Sequence, residues 1–244
     1  ALIAPSLIGD AGWLARIADG SALVVLAHQE QGARYRLDVC ATTATQQGSG
    51  WVIDGRKQLV PAADEADAYV VPARATADGP IGLFLALRTH AQVRAYPTQD
   101  GARAADVSFT SSPAQLMGSD AAPRLERAID IGIAATCAEG VGAMDRLVAI
   151  TVEYMNTRKQ FGATLASFQA LRHRMADVKM QLELARSMSY FAHLKLNEPA
   201  PQRRRALSQA KVQLGQSMRF VGQQCIQLHG GIGVTDEVAA SHYF

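Results

Sequence analysis

Two short stretches carry the residue types best suited to chemistry: TRKQFG, Thr157 to Gly162, and QLHGGIG, Gln227 to Gly233. Arg158 offers a planar guanidinium whose paired N–H groups match the oxygens of a phosphate or carboxylate. Gly230, Gly231 and Gly233 leave main-chain N–H groups bare enough for an anion to approach closely. Together, such a fork and such a loop would grip a diphosphate. Each stretch also has a plain structural reading, with Gly162 and Gly230 as the residues just past a helix end, where a left-handed backbone helps the last carbonyls find partners. A dinucleotide fingerprint built within one βαβ unit does not apply, because no strand-like run lies just before QLHGGIG. The sequence has no G-x-S-x-G elbow, no H-E-x-x-H and no Walker A loop. His28, His90, His173, His193, His229 and His242 lack ligand spacing, so no metal is expected.

Long helices must position these two stretches. A 3.6-residue period predicts one helix from Pro123 to Thr157 and a second from Ala166 to Leu196, on which Phe168, Leu171, Met175, Val178, Leu182 and Ala185 form one stripe. Arg172, Lys179, Glu183 and Arg186 fall mostly opposite it. The second helix would span ~45 Å at 1.5 Å per residue. NEPAPQRRR, Asn197 to Arg205, reads as a break, and a third helix follows from Ala206 to Leu228. Short loops between long amphipathic helices predict an antiparallel bundle, and helices this long leave a face over for another subunit.

Before Ser119 the grammar differs. ALVVLA, YRLDV, WVIDGRKQLV, YVVPA, IGLFLAL and ADVSF read as short strands, with Asp54-Gly55 as a two-residue type I′ hairpin turn. TADGP and YPTQDG read as connecting turns. The expected fold is therefore α+β: a small antiparallel β-domain over residues 21–118, then a C-terminal antiparallel helical bundle over 119–244.

Composition excludes several classes. The 244 residues carry a net charge of +2 with mixed signs, which gives no basic face for nucleic acid or an anionic membrane. The apolar run Ile81 to Leu87 is far shorter than the ~20 residues of a membrane span. Cys40, Cys137 and Cys225 are an odd, widely spaced set that predicts reduced thiols and a cytoplasmic location, and the start shows no secretory signal pattern.

RKQFG, FQAL and QLHGGIG, in this order and at these spacings, resemble the C-terminal helical domain of the acyl-CoA dehydrogenase family. ALVVLA through ADVSF is similar to that family's middle β-domain. CAEGVGAMDRLVAIT, AYPTQDG, ARSMSYFAHLKLNEP and QLHGGIGVTDE look most like the small-subunit type of pimeloyl-CoA dehydrogenase. The resemblance implies FAD as cofactor, an acyl-CoA substrate, an electron-transferring flavoprotein as electron acceptor, and a homo- or hetero-oligomer. It also implies that Arg158, Phe161, Gln169, Gln227, Gly230, Gly231 and Gly233 reach the adenosine diphosphate end of an FAD shared with a neighbouring subunit. A site shared in this way needs no strand before its glycines. Gly9 to Gly20 resembles the last helix of the family's N-terminal helical domain, which makes residues 1–20 a remnant of it.

The pattern departs in three places. QEQGARY, Gln29 to Tyr35, stands where members have T-E-P-x-A-G-S-D; Glu30 is kept and the flavin-facing hydroxyl is not. Leu59 to Pro61 replaces W-I-T or W-I-S, and Pro61 has no N–H to offer. The family's usual base lies beyond the G-G-x-G helix, past Phe244, and its alternative position corresponds to about Gly132, which is not acidic. Asp130 and Glu139, nearby, are expected to be capping, ion-paired or solvated residues, so the catalytic residue is unassigned. A second reading follows: an accessory subunit that completes the FAD site of a partner. Arg203 to Arg205 is expected as a solvated turn, Trp13 and Trp51 as packing residues, and His229 at either a phosphate or a helix-end hydrogen bond. Met144, Met155, Met175, Met180, Met188 and Met218 are expected in the core or an interface.

Overall fold

The computed structural model describes residues 3–34 and 36–243. The chain divides into two compact units, Ala1–Ile129 and Asp130–Phe244. In the first, α1 (Ala11–Ala18) starts at Asp10, whose carboxylate accepts the Trp13 N–H at 3.0 Å. Seven strands follow: β1 (Val24–Leu26), β2 (Thr43–Gln47), β3 (Gly50–Pro61), β4 (Ala68–Arg74), β5 (Ile81–Leu87), β6 (Gln92–Pro97) and β7 (Arg103–Gly118). They form one sheet in which β2, β3, β7, β5 and β4 pair in a ring that closes at Thr43 and Arg74. Most neighbours are antiparallel as expected, but β1 and β2 each meet β4 in parallel. β4 shows why its sequence is an unbroken apolar run: Tyr69, Val71 and Ala73 face one core cluster, and Ala68 and Val70 face another.

Three local expectations fail here. Asp54-Gly55 is not a turn, because β3 runs straight through it with β2 on one side and β7 on the other. The pair sits at a register shift, where Asp54 accepts the Ser111 N–H at 2.7 Å. Gly55, at φ 152°, comes so near Thr42 that a Cβ would lie 2.6 Å from its hydroxyl. The two-residue turn is instead Gly48-Ser49, with Gly48 at φ 60°. YRLDV forms no strand over its described residues, 36–39, where Arg36 pairs with Asp38; Tyr35 lies outside the described residues. The turn expected at YPTQDG is shorter than expected: Tyr96 and Pro97 belong to β6, and Thr98 to Gly101 make the turn, with the Gly101 N–H on the Thr98 carbonyl at 3.1 Å.

β6 and β7 carry a charge cluster. Asp106 is buried and accepts from Arg94 and Arg56, each at 2.7 Å, and from the Tyr96 hydroxyl at 3.1 Å. The Arg94 bond foremost, against some burial, holds this carboxyl down at about 2. A depressed carboxylate stabilises the fold above its unfolded value and stops doing so as pH falls through its folded value. Stability against denaturant should therefore drop as pH falls from 3.8 to about 2, and Asp106→Asn should flatten that part of the profile.

The second unit holds most of α2 (Ala122–Thr157), a hairpin of β8 (Lys159–Gln160) and β9 (Ala163–Thr164), α3 (Gln169–Leu194) and α4 (Ala200–His229). Its core is Leu147, Val178, Leu182, Leu207, Leu214 and Val221 with Cys137 and Cys225. Gly140 lets α2 and α4 approach closely, since a Cβ there would lie 2.9 Å from the Met218 sulfur. Helix α4 begins six residues earlier than expected, because Pro199 and Pro201 start it instead of breaking it. That shift turns Arg203 inward. It is buried, with its Nε 2.6 Å from Asp130, and is not part of a solvated turn. Of the methionines, Met144 and Met155 are buried, while Met180 and Met218 are exposed. Among the described residues, no helix is long and apolar enough to cross a membrane.

Candidate functional site

Helix α2 stops at Thr157, and the Arg158 N–H closes its last turn on the Tyr154 carbonyl at 2.8 Å. The chain then doubles back: Lys159 pairs with Thr164 and Gln160 with Ala163. Phe161 (φ 55°) and Gly162 (φ 78°) make the connecting turn, both in the left-handed region that a type I′ turn requires. Gly162 is thus a hairpin residue and not a post-helix residue, because α2 ends five positions earlier. The hairpin base is closed by the Leu165 N–H on the Arg158 carbonyl at 2.9 Å. It holds Arg158 exposed and Phe161 94% exposed. A phenylalanine gains nothing from such a left-handed, solvated position, and its ring makes a T-shaped pair with Phe168, centroids 6.3 Å apart. Gln169, exposed, opens α3, whose first turn has no acidic residue. A helix N-terminus of that kind favours anions.

The glycine turn lies at the end of α4. Gly230 follows the helix as expected, at φ 71° and ψ −149°, a conformation almost confined to glycine, and its N–H donates to the Gln227 carbonyl. Gly230–Val234 then fold back as a five-residue turn. A Cβ on Gly233 would lie 2.8 Å from the Ile226 carbonyl oxygen and 2.9 Å from the His229 Cβ, so packing demands glycine there. Gly231 has no such reason: nothing lies within 4 Å of its missing Cβ, and its φ is not positive. Gly233→Ala should therefore cost about 1–3 kcal/mol of stability. Gly231→Ala should leave stability within about 0.5 kcal/mol and weaken binding of a diphosphate ligand. Denaturant melts and ligand titrations on the two variants check the contrast.

One residue that the motifs did not single out joins the two stretches. Tyr154, one helical turn before Arg158, stacks on His229 with ring centroids 4.5 Å apart, and its hydroxyl donates to the His229 carbonyl at 3.2 Å. Arg158, Phe161 and Gln169 on one side, and Gln227, Gly230, Gly231 and Gly233 on the other, thus lie at one end of the bundle. The only sequence signal for this joint is the four-residue spacing of Tyr154 and Arg158. His229 takes the helix-end alternative: its Nδ1 bonds the Cys225 carbonyl at 2.8 Å. Beside the hairpin, Val152, Met155, Met175, Arg172 and Lys179 line a cavity of about 450 Å³ between α2 and α3.

The β-unit residues at the departures from the family pattern are engaged internally. Glu30 accepts from Lys57 Nζ (2.6 Å), the Ala41 and Thr42 N–H groups, and the Thr42 hydroxyl. Burial pushes this carboxyl up, but the Lys57 ammonium and these donors bring it below its ordinary value. Lys57, fully buried, also donates to the Pro72 carbonyl. The Leu59 N–H donates to the Tyr96 hydroxyl; in the helical unit, Asp130 is held by Arg203. Among the described residues, no three His, Cys, Asp or Glu side chains cluster as a metal site.

A closed β-sheet unit followed by long helices, with an exposed arginine hairpin and a glycine turn at the bundle end, defines the class. Residues 123–244, half of the chain, match the family model described as acyl-CoA dehydrogenase, C-terminal domain. The chain belongs to the acyl-CoA dehydrogenase family. It is 38% identical over 120 residues to acyl-CoA dehydrogenase IpdE2 of Mycobacterium tuberculosis, covering 47% of this chain and 36% of that protein. It is 25% identical over 251 residues to the mitochondrial short-chain specific acyl-CoA dehydrogenase of Mus musculus, covering 95% and 59%. A solved variant of the Tcur3481-Tcur3483 steroid ACAD superposes with a TM-score of 0.86 at 28% identity, over 100% of this chain and 68% of that one. The chain spans 36% to 59% of the length of these two curated relatives.

The family implies FAD, and the bundle end fits its adenosine diphosphate. Nothing lies within 4 Å of a would-be Cβ on Gly231, and Arg158 and Phe161 are exposed on the hairpin that Tyr154 and His229 join to this turn. The β-unit fits the flavin ring less well, because Pro61 has no N–H and the Leu59 N–H is already used.

Proposed function

We propose that the chain is a subunit of an FAD-dependent acyl-CoA dehydrogenase, which converts an acyl-CoA thioester to its 2-enoyl-CoA. Bound flavin supplies the two-electron acceptor for that chemistry. This chain holds the nucleotide end: Arg158 pairs with the diphosphate, Gly230, Gly231 and Gly233 let main-chain N–H groups reach it, and Phe161, Gln169 and Gln227 pack around the adenosine of an FAD in a neighbouring subunit. The observation that carries this reading is the Tyr154–His229 joint, which puts the arginine hairpin and the glycine turn at one bundle end. An electron-transferring flavoprotein is the proposed acceptor, a homo- or hetero-oligomer the proposed assembly, and the small-subunit type of pimeloyl-CoA dehydrogenase the proposed subfamily. Residues 1–20 are read as the end of an N-terminal helical domain, 21–118 as the β-domain and 119–244 as the helical domain. The free thiols Cys40, Cys137 and Cys225 suit a reducing compartment such as the cytoplasm.

A second reading, an accessory subunit that completes a partner's FAD site, is favoured by the β-unit. Its Glu30 and Leu59 groups are already satisfied and Pro61 donates nothing; in the helical unit, Asp130 is tied to Arg203 and not free to take an α-proton. Purification of the chain alone and with co-expressed partner subunits tests both. Flavin colour and acyl-CoA turnover by the chain alone would defeat the accessory reading, whereas flavin retained only with a partner would support it. A protein that takes up no FAD in any assembly would defeat the proposal as a whole.

A further inference from the structure

Asp64 Oδ1 and His229 Nε2 are the buried side-chain polar atoms that lack a hydrogen-bond partner among the described residues. The histidine is the more informative, because it lies inside the glycine motif. The Cys225 carbonyl can only accept, so the Nδ1 that bonds it carries the proton. In the neutral ring, Nε2 is then a bare lone pair. The side chain is 4% exposed and cannot turn to find another partner: its ring is stacked on Tyr154, its carbonyl takes the Tyr154 hydroxyl, and the Gly230–Val234 turn folds back onto its Cβ. A buried acceptor left in this state is costly, and the described residues supply no donor for it.

We infer that His229 is a positioning residue for the nucleotide, and that its Nε2 accepts a hydrogen bond from a ribose hydroxyl of the bound adenosine diphosphate. This rests on the proposed FAD reading and adds a role for a residue which that reading leaves unused. The donor follows from chemistry. Phosphate oxygens over the Gly231 N–H are acceptors at neutral pH and cannot satisfy a lone pair. The adenine amino group lies on the far side of the base. The ribose hydroxyls are the donors next to the diphosphate. Reaching Nε2 requires the Gly230–Val234 turn to shift; Gly230 and Gly231, with no atom within 4 Å of a would-be Cβ, border open space on that turn.

The test titrates the full chain, in whatever assembly it forms, with ADP, 2′-deoxy-ADP and 3′-deoxy-ADP. One deoxy analogue should bind roughly three- to tenfold more weakly than ADP. His229→Phe keeps a ring to stack on Tyr154 and should bind all three alike. In the wild-type protein the His229 Nε2 nitrogen-15 resonance should move with ADP and not with the weaker analogue, a measurement that stands even if the variant fails to fold. Equal binding of the three ligands by the wild type, survival of the preference in His229→Phe, or an Nε2 resonance indifferent to ADP would each overturn the inference, and a buried water would then be the partner. Those results leave the FAD reading intact. Failure of ADP and FAD to bind at all would remove both.

Discussion

Arg158→Ala is expected to lower the affinity for FAD by about ten- to a hundredfold, the effect of losing a hydrogen-bonded charge worth about 1.5–3 kcal/mol. The side chain is exposed at the base of the β8–β9 hairpin, and its main-chain N–H and carbonyl hold the hairpin whatever the side chain is. The melting temperature of ligand-free protein should therefore stay unchanged. Arg158→Lys keeps the charge and loses the fork, so it should fall between the two. Flavin content after gel filtration, followed by titration with added FAD, measures both variants. Unchanged occupancy in Arg158→Ala would show that the guanidinium does not meet the diphosphate.

Lys57→Met should have the largest effect on stability, about 3–5 kcal/mol, because it leaves the Glu30 carboxylate buried without its ammonium partner. The remaining donors, from Ala41 and Thr42, do not neutralise the charge. Lys57→Met combined with Glu30→Gln should recover much of the loss, since both charges are then gone. The sign with pH follows from the depressed carboxyl: the pair's contribution is present above the unfolded carboxylate value and disappears as pH falls through the lower folded one. Denaturant unfolding of the single and double variants measures this, and a single-variant loss below about 1 kcal/mol would contradict a buried, mutually dependent pair.

How much of this was legible depended on how local each signal was. The end of α2 at Thr157 could be read, and its start to within a residue, because a 3.6-residue apolar period over so long a helix leaves little freedom. The start of α4 was missed because proline is ambiguous: it breaks a helix from within and begins one from the first turn. Asp54-Gly55 failed for a non-local reason. A strand paired on both sides overrides a two-residue turn preference, and the same residues serve equally well at a bulge. β6 escaped notice because QVRAYP has little apolar alternation and is held by β7 and the Asp106 cluster. At the site, Arg158 and the glycines could be picked by residue type alone. The left-handed Phe161, the Tyr154–His229 stack and the unsatisfied Nε2 depend on contacts that join residues up to 75 positions apart.

The most direct test is a structure of the assembled protein with FAD bound. The diphosphate should lie within hydrogen-bond distance of the Arg158 guanidinium and of main-chain N–H groups in the Gly230–Gly233 turn, with the adenine against Phe161. An FAD whose diphosphate meets other residues, with the Arg158 hairpin and the glycine turn facing solvent, would contradict the account.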